Sequence, residues 1–328
     1  SINTNINNIK LRDSNSNKTS MINEIINLIN ATTAIIATDK LTLIRTYSTT
    51  ITDIYNDVNE KKKSADDLFK SIPIDASIKK TADGYINTIS ANKTIMEDNK
   101  TFADKLKSDA ETIELILTNI RTMDSNVTLA SQKIDAFNFS TIINTRATLL
   151  GECYNYLLLA STEYKTATSR MVDILKQDSQ IENKKKLQAK IDAVNTSYTT
   201  INGIYSTKLS DFNSNQNNLL SQLKAIKEKS DNYLTYSKSS NIDIKTELNN
   251  IIDSATSSLA TTYYGNITSK FTAINGYVTI ITTDKQSAVT YNDNILSTFP
   301  NKSFATKYKD DTITNSNNIY LELVTADK

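Results

Sequence analysis

Apolar residues recur at alternating three- and four-residue intervals along most of the chain, with few residues able to stop a helix between them. That spacing lines one face of an α-helix, and sustained over many turns it marks long helices packed side by side. The clearest run is Ile143, Ala147, Leu150, Tyr154, Leu157, Ser161, Tyr164, Thr168, Met171 and Leu175, which predicts a packed helix. Before it, a first helix is predicted from Ser20, a candidate N-cap, to about Phe69, where Ser71-Ile72-Pro73-Ile74 interrupts it because proline has no donor and disfavours helical geometry in the residue before it. A second helix is predicted beyond Asp75, carrying Ala103, Ala110, Ile113, Leu117, Ile120, Val127 and Ile134. Asp124 falls where that register expects an apolar residue, so a polar layer or a break is expected there.

Beyond residue 180 the helical pattern continues through Leu187, Ile191, Val194 and Tyr198, and the polar run Asn213-Ser214-Asn215-Gln216-Asn217-Asn218 predicts a turn, as does Ser239-Ser240-Asn241. A last long helix is predicted over Leu248 to Ile295, ending at Phe299-Pro300; Gly265 and Gly276 weaken it, and Tyr277 to Thr282 is strand by propensity alone. Ile319-Tyr320-Leu321-Glu322-Leu323-Val324 is short, β-favouring and partly alternating after the loop-like Asn315-Ser316-Asn317-Asn318, so it reads as a strand or extended docking tail.

The expected fold is therefore all-α: an elongated, coiled-coil-like bundle of long antiparallel helices. A flexible N-terminal arm is expected over residues 1–18, the bundle over 19–300 as one body or two sub-bundles, and the extended or β tail over 301–328. Local echoes such as Ile134-Asp135-Ala136 and Ile191-Asp192-Ala193 share no common period, so a solenoid is not predicted.

Composition narrows the chemistry. The 328 residues include no His, no Trp, one Cys, two Pro and five Gly. Zinc sites with His or Cys ligands and nucleophiles activated by His are excluded by inventory. The glycines are isolated, so no phosphate-cradling loop forms. Apolar residues make up 38% of the chain, which suits thin bundles better than a thick core. Asn, Ser and Thr have low helix propensity, so packing must hold these helices.

Lys plus Arg is 37 against 36 for Asp plus Glu, a formal net charge of +1, and no basic field draws the chain to nucleic acid or an anionic membrane. No stretch of about 18 apolar residues exists to span a bilayer, and the first residues lack a secretory pattern. Lone Cys153, in an apolar run, is expected to be a buried thiol. Glu111 and Glu114 share a helix face at a spacing that suits a hard cation, but solvated carboxylates are the favoured reading for them, for Asp66-Asp67 and for Asp310-Asp311. Lys61-Lys62-Lys63 and Lys184-Lys185-Lys186 are expected at solvated helix ends. The sixteen Tyr suit packing at bundle edges or contact with a protein partner. The Lys-over-Arg, Asn- and Ile-rich usage looks like that of an AT-rich genome.

Ile2-Asn3-Thr4-Asn5 resembles the start of bacterial flagellins, which also share helical rods and Asn, Ser and Thr in abundance. The Ala- and Leu-rich segment that follows in flagellins is replaced here by Ile6-Asn7-Asn8-Ile9-Lys10, and the C-terminal segment does not read as the matching amphipathic helix.

The functional expectation is a non-enzymatic structural protein of a large assembly, a virion or phage particle first, acting as helical spacer or clamp. No cofactor or metal is expected, and the partners are other protein subunits, the chain itself included, with no nucleic acid and no membrane span. Ile319, Tyr320, Leu321, Leu323 and Val324 are the candidate partner-binding residues. The alternatives are an α-helical pore-forming toxin component and a surface adhesin or antigen, which would place the chain outside the cell or on its surface.

Overall fold

A computed structural model describes residues 34–70, 77–175 and 181–328. The expected arm over 1–18 and the Ser20 cap lie outside them. Among the described residues there are six helices: α1 (Ala34–Lys70), α2 (Ser77–Phe139), α3 (Ile143–Leu175), α4 (Ile181–Ile252), α5 (Ser257–Asp293) and α6 (Lys302–Ala326). No β-strand occurs among the described residues. The chain is an all-α protein of long helices.

The seams follow a seven-residue repeat. Ile44, Ile51, Val58 and Ala65 are buried along α1, and Ala82, Ile89, Met96, Ala103 and Ala110 along α2. A strict repeat of seven keeps one narrow stripe against the neighbouring helix, as in coiled coils. Small residues at several of these positions let helices approach closely while contributing little apolar area.

Two compact units divide the chain. The first takes α1, α2 as far as Thr128, and the segment Leu157–Thr199 of α3 and α4. Its main core joins Leu41, Ile44 and Ile51 to Ile113, Ile116 and Leu117, to Ala167 and Met171, and to Leu187 and Ile191. A smaller cluster gathers Val58, Ala65, Ile89 and Met96. Arg45 pairs with Glu111 at 2.8 Å and the Ser48 hydroxyl donates to Asp104 at 3.0 Å, so α1 and α2 run antiparallel.

The second unit takes Leu129–Tyr156 and Thr200–Lys328. Phe137, Leu150 and Phe212 join its first cluster, with the Arg146 guanidinium stacked over the Phe137 ring at 4.1 Å. Further along, the long part of α4, about 80 Å at 1.5 Å per residue, packs with α5 and α6. Lys229 pairs with Asp284 at 2.9 Å and Lys270 with Asp243 at 2.7 Å, which sets α4 and α5 antiparallel. Asn315 reaches Ser230 and Asp231, while Asn241 reaches Glu322, so α6 runs parallel to α4.

Several sequence expectations are corrected here. The Asn-rich run 213–218 forms no turn, because Phe212, Gln216, Leu219 and Leu223 keep the helical stripe through it. Gln216 is buried; its amide donates to the Asn294 carbonyl at 3.3 Å and its oxygen accepts from the Leu296 backbone at 2.7 Å. Residues 239–241 are helical too, since Asn241 faces α6. The chain reverses instead at residues 253–256, where Ser254 bonds back to the Ile251 carbonyl and Thr256 caps α5 through the Leu259 backbone. Asp124 marks neither a break nor a polar layer: it is exposed, and Met123 beside it takes the buried position. Tyr277 to Thr282 is helical within α5.

The C-terminal segment is the largest correction. Neither a strand nor an extended tail, it is the 25-residue helix α6. Ala305, Thr312, Asn315, Ser316 and Ile319 are buried at helical spacing, and packing along α4 and α5 overrides the local β propensity.

Candidate partner-binding surface

The segment flagged for partner contact forms the outer part of α6. Ile319 is fully buried in the second unit and Leu323 is half-buried. Tyr320 and Leu321 point outward, 57% and 60% exposed, and Val324 is exposed one turn on. Helical geometry explains the division, because each residue turns about 100° from the one before it, so Ile319 faces the core while Tyr320 and Leu321 turn away from it.

Tyr320 and Leu321 join Ser316 and Asn317 of α6 and Val278 and Thr282 of α5 to line a shallow groove of about 370 Å³. α5 and α6 pack antiparallel to make it. Its lining holds no charged side chain, so it suits an apolar side chain with a tyrosine hydroxyl and amides at the margin. Sequence reasoning missed Val278, Thr282, Ser316 and Asn317. Ser316 and Asn317 stand in a polar run that favours a loop by composition, and the burial of Asn315 and Ser316 follows only from the packing of α6.

Beneath the groove lies a stretch of core that is polar. Ser230, Ser237 and Asn241 of α4 and Thr312, Asn315 and Ser316 of α6 are all buried. Asn315 donates to the Ser230 hydroxyl at 2.9 Å and to Asp231 at 2.8 Å. Burial pushes the Asp231 carboxyl up, but hydrogen bonds from Lys227 and Asn315 outweigh it and hold the group below the usual carboxylate range. The Ser237 hydroxyl and the Asn241 side-chain oxygen have no hydrogen-bond partner. The signal was present in the sequence: Leu223, Ser230, Ser237 and Ile244 stand seven residues apart.

At the other end of α6, the Lys302 ammonium donates to the Asn292 carbonyl in the last turn of α5 and to the Ile295 carbonyl just beyond it. Burial draws its pKa down from the usual lysine value.

The remaining flagged residues are not brought together. Glu111 pairs with Arg45 and Glu114 with Arg121. Asp66, Asp67, Asp310 and Asp311 pair with Lys62, Lys70, Lys309 and Lys307 in turn. Lys61 to Lys63 lie within α1 rather than at its end. Among the described residues no group of three or more Cys, Asp or Glu is placed to hold a metal ion. Cys153 is buried, and burial pushes its thiol up to about 11. Of the tyrosines, Tyr154 is half exposed against Tyr205, with ring centroids 6.0 Å apart, and Tyr277 stacks between Tyr233 and Tyr236.

No family model matches the chain, and no curated protein or solved structure matches it. None of the described helices is long and apolar enough to cross a membrane.

Proposed function

We propose that the chain is a structural, non-catalytic component of a large protein assembly, a virion or phage particle first, in which its bundles space or clamp neighbouring subunits. The observation that carries this reading is the groove between α5 and α6. Tyr320 and Leu321 spend large apolar surface on solvent there, on a helix whose opposite face is fixed in the core. Tyr is enriched where proteins meet, and an uncharged groove rimmed by polar groups has the make-up of an interface core. A neighbouring subunit would seat an apolar side chain against Leu321 and Val278.

The test is the double substitution Tyr320→Lys and Leu321→Lys, which changes exposed positions only. Melting and helicity should stay as they are while incorporation into the sedimenting assembly falls. Unchanged incorporation would overturn the reading. Dye release from liposomes by the purified native chain would favour the pore-forming alternative instead.

A further inference from the structure

Within the second unit, the inward stripe of α4 runs Tyr205, Leu209, Phe212, Gln216, Leu219 and Leu223 at alternating spacings of four and three. Gln216, 1% exposed, is the one amide in it. On one side of it, Phe212 belongs to an apolar cluster with Phe137 of α2 and Leu150 of α3. On the other, Leu223 belongs to a separate cluster with Ala288 of α5, with Ile295 just past the end of α5, and with Ala305 of α6.

Both helix pairs stop at the level of Gln216. Tyr154 meets Tyr205 and Leu150 meets Phe212, so α3 runs antiparallel to α4 and its start at Ile143, with the turn from α2, falls close to Gln216. From the opposite direction α5 ends at Asp293 and α6 starts at Lys302. The Gln216 amide donates to the Asn294 carbonyl at 3.3 Å, and its oxygen accepts from the Leu296 backbone at 2.7 Å. Here α4 passes from one pair to the next, flanked by a turn and a loop.

The sequence is weakest at the same place. Asn213, Ser214, Asn215, Asn217 and Asn218 are all exposed, so they bring only their own propensity, and Asn and Ser are poor helix formers because their side chains compete for backbone bonds. The helix is unbroken through this run, and the packing that holds it there centres on one buried amide bonded to a loop. Leu296 also reaches across, lying against the Phe137 cluster while its neighbour Ile295 lies in the Leu223 cluster.

We propose that residues 213–218 are a hinge in α4 and that Gln216 is its latch. When both Gln216 bonds break, α4 bends at this run, and its residues beyond Leu219 swing together with α5 and α6. Each apolar cluster stays whole, since the bend falls between them, and a few residues absorbing the backbone change between packed bodies is how hinges work. The partner groove is lined by α5 and α6 alone, so the hinge stands or falls independently of the assembly role.

Hydrogen exchange of the full chain, read by mass spectrometry, tests it. Amides of residues 213–222 should exchange about tenfold or more faster than those of 203–212 and 223–232. Gln216→Ala should speed that window and residues 294–297 about tenfold further and leave the flanks as they are. Replacing Asn213, Asn215, Asn217 and Asn218 together by Ala changes exposed positions only, and should slow the window about tenfold or more. As a second measurement, spin labels at Ser206→Cys and Lys224→Cys, with Cys153→Ala, lie about 27 Å apart along a straight helix. Gln216→Ala should broaden that distance toward shorter values, and the four alanines should narrow it. Uniform exchange from 203 to 232, a Gln216→Ala variant that loosens the flanks as much as the window, or alanines that leave the window's rate unchanged would overturn the proposal.

Discussion

Ser237 and Asn315 are both polar residues buried in one helical seam, yet they do opposite things to stability. Asn315 spans two helices with two hydrogen bonds, to Ser230 and Asp231. Asn315→Ala should cost about 1–3 kcal/mol in urea unfolding, because both partners lose a bond in a place water does not easily reach. The Ser237 hydroxyl has no partner, so Ser237→Ala should be neutral or stabilise by about 1 kcal/mol. Asp231 makes the same seam sensitive to acid. Its carboxyl is raised by burial but held low overall by Lys227 and Asn315. A folded-state value below the ordinary 3.8 means the contribution is complete above that pH and is lost as pH falls through the folded value. Asp231→Asn should therefore flatten the acid limb of a stability profile below about pH 4, and an unchanged limb would show that the pairing is spent on solvent.

At the scale of elements, Gly265 and Gly276 weaken α5 without serving its packing. Both are exposed, and a Cβ at either would meet nothing within 4 Å. Gly265→Ala and Gly276→Ala should each raise stability by about 0.5–1 kcal/mol, read as a shift in melting temperature. The helices were legible in sequence wherever branched apolar residues carried the stripe, as in α1 from Ile44 to Val58, whereas α5 stops at Asp293, short of the expected end at Phe299-Pro300. They were illegible where the buried stripe itself turned polar. Gln216 and Asn241 looked like turn residues, and Asn315 and Ser316 looked like the start of a loop, because side chains that compete for backbone bonds favour turns until a partner helix satisfies them. Many threonines found another resolution, donating to the carbonyl four residues back, as Thr118 does to Glu114 and Thr282 to Val278.

At the scale of the molecule, packing outweighs propensity. The chain should give a strongly helical circular dichroism spectrum without a strand component from the described residues. Leu157 of the first unit is almost fully buried, and Leu157→Ala should cost about 2–5 kcal/mol in equilibrium unfolding. Of the five flagged residues, Tyr320, Leu321 and Val324 are outward, Leu323 is half-buried and Ile319 belongs to the core. The groove's other wall on α5 could not be seen, since it depends on which helices pair.

Cys153 gives the second unit an internal clock. Its thiol is the sole one in the chain and is closed off from solvent, so a thiol-modifying reagent must wait for the surrounding helices to part. When closing is fast, the labelling rate scales with the fraction of molecules open at any instant. One mass measurement over time then turns the looseness of that core into a number, with no probe attached.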